Sequence, residues 1–214
     1  MINKIYNYPD LERIEKNGLR FYLDSLNNPV PSVTTVLSET SEKSFDLKKW
    51  KLKVGEAEAE RIKNEATTIG TAVHEALEQY LYGKDWNNFN SSKEHQIAAR
   101  ITKKFIESGL DGIEEVWGLE SGLVLDGLYA GTADCIGIFE GESSIIDFKT
   151  AKQIKKKEWI TDYFLQTCAY ALAHNLQYKT DIRQGVILIC TQNLEFQEFI
   201  IKDTEGANLY KTEA

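Results

Sequence analysis

Two aspartates and a lysine stand out because they interrupt apolar stretches. Asp134 ends the segment GTAD within a run of strand-forming residues, and Asp147 opens the segment DFK directly after two isoleucines. Burying a carboxylate is costly unless it is paired or bound to a metal. Two carboxylates on adjacent strands would converge and repel each other unless a divalent cation neutralised them. The pattern therefore predicts a metal site.

Asp147 and Lys149 are two residues apart, so on a strand both side chains leave the same face. Hydrolysis of a phosphodiester needs oxygen ligands for Mg²⁺ or Mn²⁺, an activated water and a group that stabilises the developing charge, which a lysine can supply. Together with Asp134, this pair predicts a nuclease centre. The alternative for D-x-K alone is an ion pair at a strand end plus an aspartate in a turn, because the tripeptide is common.

Three further features fit the same site, and each has a simpler alternative. His74 lies among small apolar residues of a predicted helix, where it is either a ligand for the metal or a core histidine. Gln166 and Tyr170 are spaced i and i+4 and share one helix face, which is otherwise an ordinary amphipathic face. Glu120 closes a predicted strand and either reaches the same end of the sheet or is a solvated edge residue.

The order of these motifs resembles the RecB-type branch of the PD-(D/E)XK nuclease superfamily. The motifs are, in order, His74, GTAD ending at Asp134, IIDFKT with Asp147 and Lys149, and QTCAY with Gln166 and Tyr170. The upstream segments PSVTTVLSET and GTAVHEALEQYL, with the pair Trp50-Lys51, are more closely similar to the mitochondrial genome maintenance exonucleases and their phage and bacterial relatives. The resemblance covers residues 30–191.

The resemblance implies a role for each matching residue. It implies that His74, Asp134 and Asp147 ligate Mg²⁺ or Mn²⁺ with help from the Phe148 carbonyl. It also implies that Lys149 is the catalytic lysine and that Glu120 is an auxiliary acid. Gln166 and Tyr170 are implied to support the site or to contact DNA. It also implies a single-stranded DNA substrate with free ends, a role in DNA replication, recombination or repair, and replication or recombination proteins as partners.

The charge of the chain gives the DNA path little general support. The net charge is −8, whereas phosphate binding depends on lysine and arginine. Local basic runs can still bind. A path needs bases stacked on aromatic rings beside a basic groove, and Trp50 with Lys51 predicts one side of it. The other predicted side combines Trp159 with Lys155, Lys156 and Lys157, which form one basic run with Lys152. The alternatives are solvated helix faces and core tryptophans.

The elements that must position these residues follow from the hydrophobic pattern. A strand is predicted over 20–26, turn chemistry over 27–31, and a short helix capped by Ser32. Residues 44–109 have a helical pattern. Strands are predicted over 113–120, 123–128, 132–139 and 143–149, a helix over 157–174, a buried strand over 185–191 and a partly exposed strand over 195–201.

This order predicts an α/β (α+β) fold with a mixed sheet flanked by helices, and the resemblance implies a restriction-endonuclease-like core. We expect one nuclease domain over 1–214, with an N-terminal strand and helical lobe over 1–65, a core over 66–201 and a tail over 202–214. The N-terminus has no apolar segment typical of a signal peptide, and the three cysteines are scattered. Both features favour a cytoplasmic protein, and the resemblance implies a bacterium or a phage-infected host.

Two other functions use the same residues. A catalytically silent single-stranded DNA-binding module on the same fold would need no intact Asp134, Asp147 and Lys149, because a fold does not guarantee activity. A structure- or sequence-specific endonuclease would act on duplex DNA. An arch-like N-terminal lobe that threads one strand favours the exonuclease, and an open cleft with a dimer interface favours the endonuclease.

Overall fold

The computed structural model describes residues 2–41 and 43–202, and for residues 43–48 the backbone alone. Nearly all of the predicted tail therefore lies outside the described residues. The strands are β1 Arg13–Lys16, β2 Leu19–Leu23, β3 Pro29–Pro31, β4 Ile113–Leu125, β5 Tyr129–Phe139, β6 Glu142–Ala151, β7 Gln184–Thr191 and β8 Phe196–Lys202. The helices are α1 Val33–Thr40, α2 Lys43–Val54, α3 Glu56–Leu81, α4 Lys93–Ser108 and α5 Thr161–Tyr178.

A five-stranded mixed sheet forms the centre of the fold. Its strand order is β4-β5-β6-β7-β8, and every pair is antiparallel except β6 with β7. A parallel pair needs a long crossover, and α5 provides it. The mixed sheet with flanking helices confirms the predicted fold class and is consistent with a restriction-endonuclease-like core. A smaller antiparallel sheet, β1-β2-β3, lies N-terminal to it.

Helices cover both faces of the central sheet. On one face α3 and α4 pack against Ile146 and Phe148 of β6 within a large apolar cluster. On the other face α5 packs against Ile145 of β6. Because side chains alternate along a strand, Asp147 and Lys149 leave β6 on the α5 side. No helix in the described part of the chain is both long enough and apolar enough to cross a bilayer.

Several local predictions are confirmed. Ser32 caps α1, and its hydroxyl accepts the N–H of Thr35. The predicted buried strand over 185–191 is β7, which is buried along its whole length, and the partly exposed strand is β8. The helical pattern over 44–109 corresponds to α2, α3 and α4, with a break after Leu81. Helix α3 continues across residue 65, and the division into lobe and core stays a prediction.

Other boundaries were predicted wrongly. The strands expected over 113–120 and 123–128 are one strand, β4, because Ser121 and Gly122 continue the pairing with β5 and the chain turns only at Gly127. The turn expected over 27–31 ends at Asn28, and β3 follows it. The helix expected over 157–174 is a short 3-10 turn over Lys157–Trp159 followed by α5.

A buried histidine joins the N-terminal segment to α5. His174 Nδ1 is 2.7 Å from the Thr180 hydroxyl, which donates its own proton to Asn175. Thr180 must therefore accept from Nδ1–H, and His174 Nε2 accepts from the Tyr8 hydroxyl at 3.1 Å. The ring also stacks on Trp117. This network fits the neutral imidazole, and burial lowers the pKa of His174 to about 4.

We expect this histidine to make the fold acid-sensitive. The pKa of histidine is about 6.5 when the chain is unfolded. Between pH 6.5 and 4 the unfolded state therefore binds more protons than the folded state, and the free energy of unfolding decreases as the pH is lowered. The full shift corresponds to a loss of about 3 kcal/mol. Urea unfolding at pH 7.5 and 4.5 measures it, and His174→Gln should lose less stability between the two pH values than the wild type. An equal loss in both proteins would contradict the assignment to His174.

Candidate active site

The central sheet brings Asp134 and Asp147 side by side. Cys135 of β5 pairs with Ile146 of β6, so the two aspartates occupy the next positions of neighbouring strands. The side chain of Asp134 accepts the backbone N–H of Phe148 at 2.8 Å, which fixes its carboxylate against β6. The prediction that these carboxylates converge is therefore confirmed.

Lys149 is held against Asp147 on the same face of β6, as the two-residue spacing predicts. Its Nζ lies 2.5 Å from Asp147 Oδ1 and equally close to Oδ2. The contact with Oδ2 does not have the geometry of a hydrogen bond, and Oδ2 is fully buried. Burial raises the pKa of Asp147 to about 6, against the lowering effect of Lys149 and with a further raising effect of Asp134. The carboxylate is thus buried between a cation, Lys149, and a second carboxylate, Asp134.

His74 of α3 faces the same site from the opposite side of Asp134. Its Nε2 is 2.8 Å from the Phe148 carbonyl oxygen, so Nε2–H donates and orients the ring. Its Nδ1 lies 3.6 Å from Glu120 Oε1 and 3.7 Å from Asp134 Oδ2. Burial lowers the pKa of His74, but the carboxylates outweigh it and raise the pKa to about 9. The negative field that favours a second proton on this ring also favours a bound cation.

Three of these side chains form a group that could hold a metal ion. His74, Glu120 and Asp134 each offer one donor atom, and the donor atoms lie within 4.8 Å of one another. One imidazole and two carboxylates suit a divalent cation such as Mn²⁺, and carboxylates suit Mg²⁺. The adjacent carboxylate of Asp147, which Lys149 contacts, is a further oxygen donor. The residues therefore fit a divalent cation.

Two of the proposed ligands are arranged differently from a simple ligand shell. Phe148 offers its carbonyl to the His74 ring, an interaction that commonly fixes the ring of a metal ligand; a second lone pair of that oxygen remains for a metal. Asp147 lies outside the three-residue group, and Lys149 partly occupies its carboxylate. A ligand role for these two residues stays a prediction.

Glu120 has an unusual backbone conformation within β4. Its φ is 44°, in the left-handed region that costs a residue other than glycine roughly 1–2 kcal/mol. The strand pairs normally on either side of it, through Leu119 with Cys135 and Ser121 with Ala133. Strain of this kind is typical of functional sites. Glu120 is also exposed and lies on the edge strand of the sheet, as the alternative of a solvated edge residue predicts, so a functional role stays a prediction.

Gln166 and Tyr170 share the buried face of α5, as predicted from their spacing. Gln166 Nε2 is 3.5 Å from the Tyr170 hydroxyl. Burial raises the pKa of Tyr170, and Asp134 and Asp147 add to this effect, so the hydroxyl lies near the carboxylates and stays protonated. Gly131 makes room for it, because a Cβ there would lie 2.7 Å from the hydroxyl oxygen. The structure thus brings Tyr170 close to the two carboxylates, and a supporting or DNA-binding role for the pair stays a prediction.

Two parts of the surface around the candidate site differ in charge. A cavity of about 550 Å³ along α3 contains His74, Glu75, Glu78 and Glu120, so this side is acidic. The segment after β6 is basic instead. There Lys156 Nζ lies 5.3 Å from the ring centroid of Trp159, which is 56% exposed.

The remaining residues predicted to bind DNA lie on two different elements. Lys152 is exposed in the segment after β6, and the backbone of Lys155 is fixed by two hydrogen bonds to the side chain of Gln197. Trp50 and Lys51 lie on α2, which contacts α1 and α3; Lys51 is exposed and Trp50 is half-buried. A single DNA path that includes both elements stays a prediction.

Tyr163 also reaches the site, although no motif in the sequence indicated it. Its ring centroid is 5.2 Å from Lys149 Nζ. The signal was present in the spacing, because Tyr163 precedes Gln166 by three residues and so lies on the same side of α5.

The chain is similar to three curated proteins of the same name. It is 32% identical over 174 residues to "Mitochondrial genome maintenance exonuclease 1" of Mus musculus, over 76% of this chain and 50% of that protein. The proteins of Homo sapiens and Xenopus tropicalis are 30% and 29% identical, over 76% of this chain and 49% of their own lengths. The chain thus spans about half the length of the curated relatives it matches. No family model matches the chain.

These relatives bear on two of the predictions. Their names call them mitochondrial, which does not match the predicted bacterial or phage-infected cytoplasm. Their names also call them exonucleases, and the similarity covers most of this chain, including the strands that carry the candidate site. The chain is therefore a homologue of named exonucleases, and this similarity supports an exonuclease-like family.

Proposed function

We propose that the protein is a metal-dependent nuclease that hydrolyses single-stranded DNA from a free end. The observation that carries the proposal is the donor group of His74, Glu120 and Asp134 directly beside the Asp147–Lys149 pair. Carboxylates this close to one another repel, and a divalent cation that binds a phosphate would neutralise them. The homologous exonucleases support the same reaction class.

Each residue has a definite task in this reaction. A divalent cation held by His74, Glu120 and Asp134, with Asp147, would polarise the phosphate and lower the pKa of the attacking water. Asp134 is fixed by the Phe148 N–H, and His74 is oriented by the Phe148 carbonyl. Lys149 keeps its ammonium beside Asp147, because the neighbouring carboxylates raise its pKa against the lowering effect of burial. It stabilises the charge that develops on the phosphate.

The charge distribution supports a path for the strand. Glu75 and Glu78 of α3 repel phosphates, and the lysines after β6 attract them. Trp159 is exposed among those lysines, and an exposed ring beside cations is suited to stacking an unpaired base. A duplex keeps its bases stacked inside and gains nothing from the ring. This difference supports a single-stranded substrate.

The proposal predicts which DNA is cut and with which ion. Linear single-stranded DNA should be cut much faster than duplex, and covalently closed single-stranded circles should resist. Cleavage should require Mg²⁺ or Mn²⁺ and stop in EDTA, and Ca²⁺ should bind without supporting turnover. End-labelled oligonucleotides and circles measure all of these, and Ca²⁺-supported binding should weaken as salt rises.

The other outcomes identify the alternatives. Rapid cleavage of circles would indicate an endonuclease instead. Binding of single-stranded DNA without cleavage under any divalent ion would indicate a silent binding module. Full activity in excess EDTA would contradict the metal mechanism.

A further inference from the structure

Tyr163 places its aromatic ring beside the ammonium of Lys149. The distance from Nζ to the ring centroid is 5.2 Å, within the range at which the negative face of a ring attracts a cation. Tyr163 lies in the first turn of α5. We propose that Tyr163 is a positioning residue whose ring fixes the Lys149 ammonium next to the reacting phosphate. This inference rests on the proposed nuclease function.

Lys149 needs an anchor besides Asp147. The ammonium lies 2.5 Å from Asp147 Oδ1, and the proposed reaction asks the same carboxylate to help hold a divalent cation. That cation repels an ammonium beside it, and a long lysine side chain gains rotamer freedom when it moves away. The ring of Tyr163 attracts the ammonium without competing for the cation. It therefore keeps Nζ in place when the carboxylate is shared.

The ring of Tyr163 is itself held in place. Its backbone N–H donates to the Ile160 carbonyl at 2.9 Å. The side chain packs against an apolar cluster formed by Ile160, Phe164, Ile187, Ile189 and Ile201. Burial raises the pKa of its hydroxyl, so the side chain is neutral at neutral pH. A neutral, packed ring acts through its face and not as a base.

Three replacements at residue 163 distinguish the effect of the negative ring face on the cleavage rate from the effects of ring shape and of the hydroxyl. Tyr163→Phe keeps the ring, Tyr163→Leu removes it, and pentafluorophenylalanine keeps its shape while removing the negative potential of its face. We expect Phe to cleave within about twofold of the wild type, and the other two to lower the single-turnover rate on the order of 10-fold. Ca²⁺-supported affinity for the same single-stranded oligonucleotide should stay within about twofold in all three.

Phe199→Leu is the matched control, because Phe199 packs against the same cluster from β8. This variant should cleave DNA at the wild-type rate. A wild-type rate with pentafluorophenylalanine, which preserves packing even if the Leu variant does not fold, would overturn the proposal. So would a loss in Tyr163→Phe as large as in Tyr163→Leu, because the hydroxyl would then be the active part. If cleavage by the wild type depends on Lys149 and the pentafluorophenylalanine variant cleaves at the wild-type rate, only the inference about Tyr163 fails. If the wild type does not cleave DNA at all, the proposed nuclease function fails as well.

Discussion

Replacing Lys149 by alanine should lower the cleavage rate by on the order of 100-fold or more, the range seen when one electrostatic or acid–base group is removed. The ammonium is held beside Asp147 in a site where only a fifth of its side chain is exposed, so its field is poorly screened. The charge it stabilises develops in the transition state, and its loss should fall on kcat. Affinity for single-stranded DNA should change only a few-fold, since one phosphate contact among several is a small share of binding.

The comparison needs single-turnover cleavage and a Ca²⁺-supported binding titration on one oligonucleotide. Lys149→Arg should not rescue the rate, because a planar guanidinium does not replace a compact ammonium. Lys202→Ala removes an exposed lysine of β8 that pairs only loosely with Glu142 and is the matched control. A near wild-type rate for Lys149→Ala would show that Asp147 and Lys149 form only a structural ion pair. An equal fall in rate and affinity would make Lys149 a DNA-binding residue.

Asp147→Asn and Asp134→Asn should abolish cleavage and leave the melting temperature at or above that of the wild type. Asparagine keeps the shape of the side chain but removes the charge that a divalent cation needs. Burial and the neighbouring Asp134 raise the pKa of Asp147 to about 6 even with Lys149 in contact. The folded state therefore binds more protons than the unfolded state between the two pKa values, and the ionised carboxylate destabilises the fold at neutral pH. Neutralising it relieves the repulsion.

Thermal melting, cleavage assays and calorimetric titration with Mn²⁺ measure this prediction. Both variants should bind Mn²⁺ more weakly than the wild type. Asp111→Asn, at an exposed position before β4, should change none of the three measurements. A variant that unfolds while its soluble fraction still cuts DNA would show that its aspartate is structural.

The hydrophobic pattern predicted the central elements of the fold because most of them are strongly periodic. The continuous apolar run of β7 and the alternation in β8 were sufficient to place both strands. Gly122 misled the interpretation of β4, because the sequence does not distinguish a glycine within a strand from one in a turn. β1 and β3 were missed because each is only three or four residues long and β3 contains two prolines.

The site was predicted in part, and the limits have a physical cause. Asp134, Asp147 and Lys149 could be placed because period-two spacing fixes faces within neighbouring strands. The contact of His74 with Glu120 could not, since it depends on how α3 packs against β4. The contact of Tyr163 with Lys149 depends on how α5 packs against β6. Contacts between elements were thus harder to predict than contacts within one.

The left-handed backbone at Glu120 has a consequence for engineering the protein. Glycine adopts that conformation without steric cost, and asparagine adopts it more readily than glutamate. Selection for heat resistance alone would therefore favour replacing Glu120, since both replacements relieve backbone strain and remove a negative charge from a crowded pocket. The same replacements would discard a donor for the cation. A substitution at position 120 should thus raise the melting temperature and lower the cleavage rate, a trade-off that is common where activity depends on a strained residue.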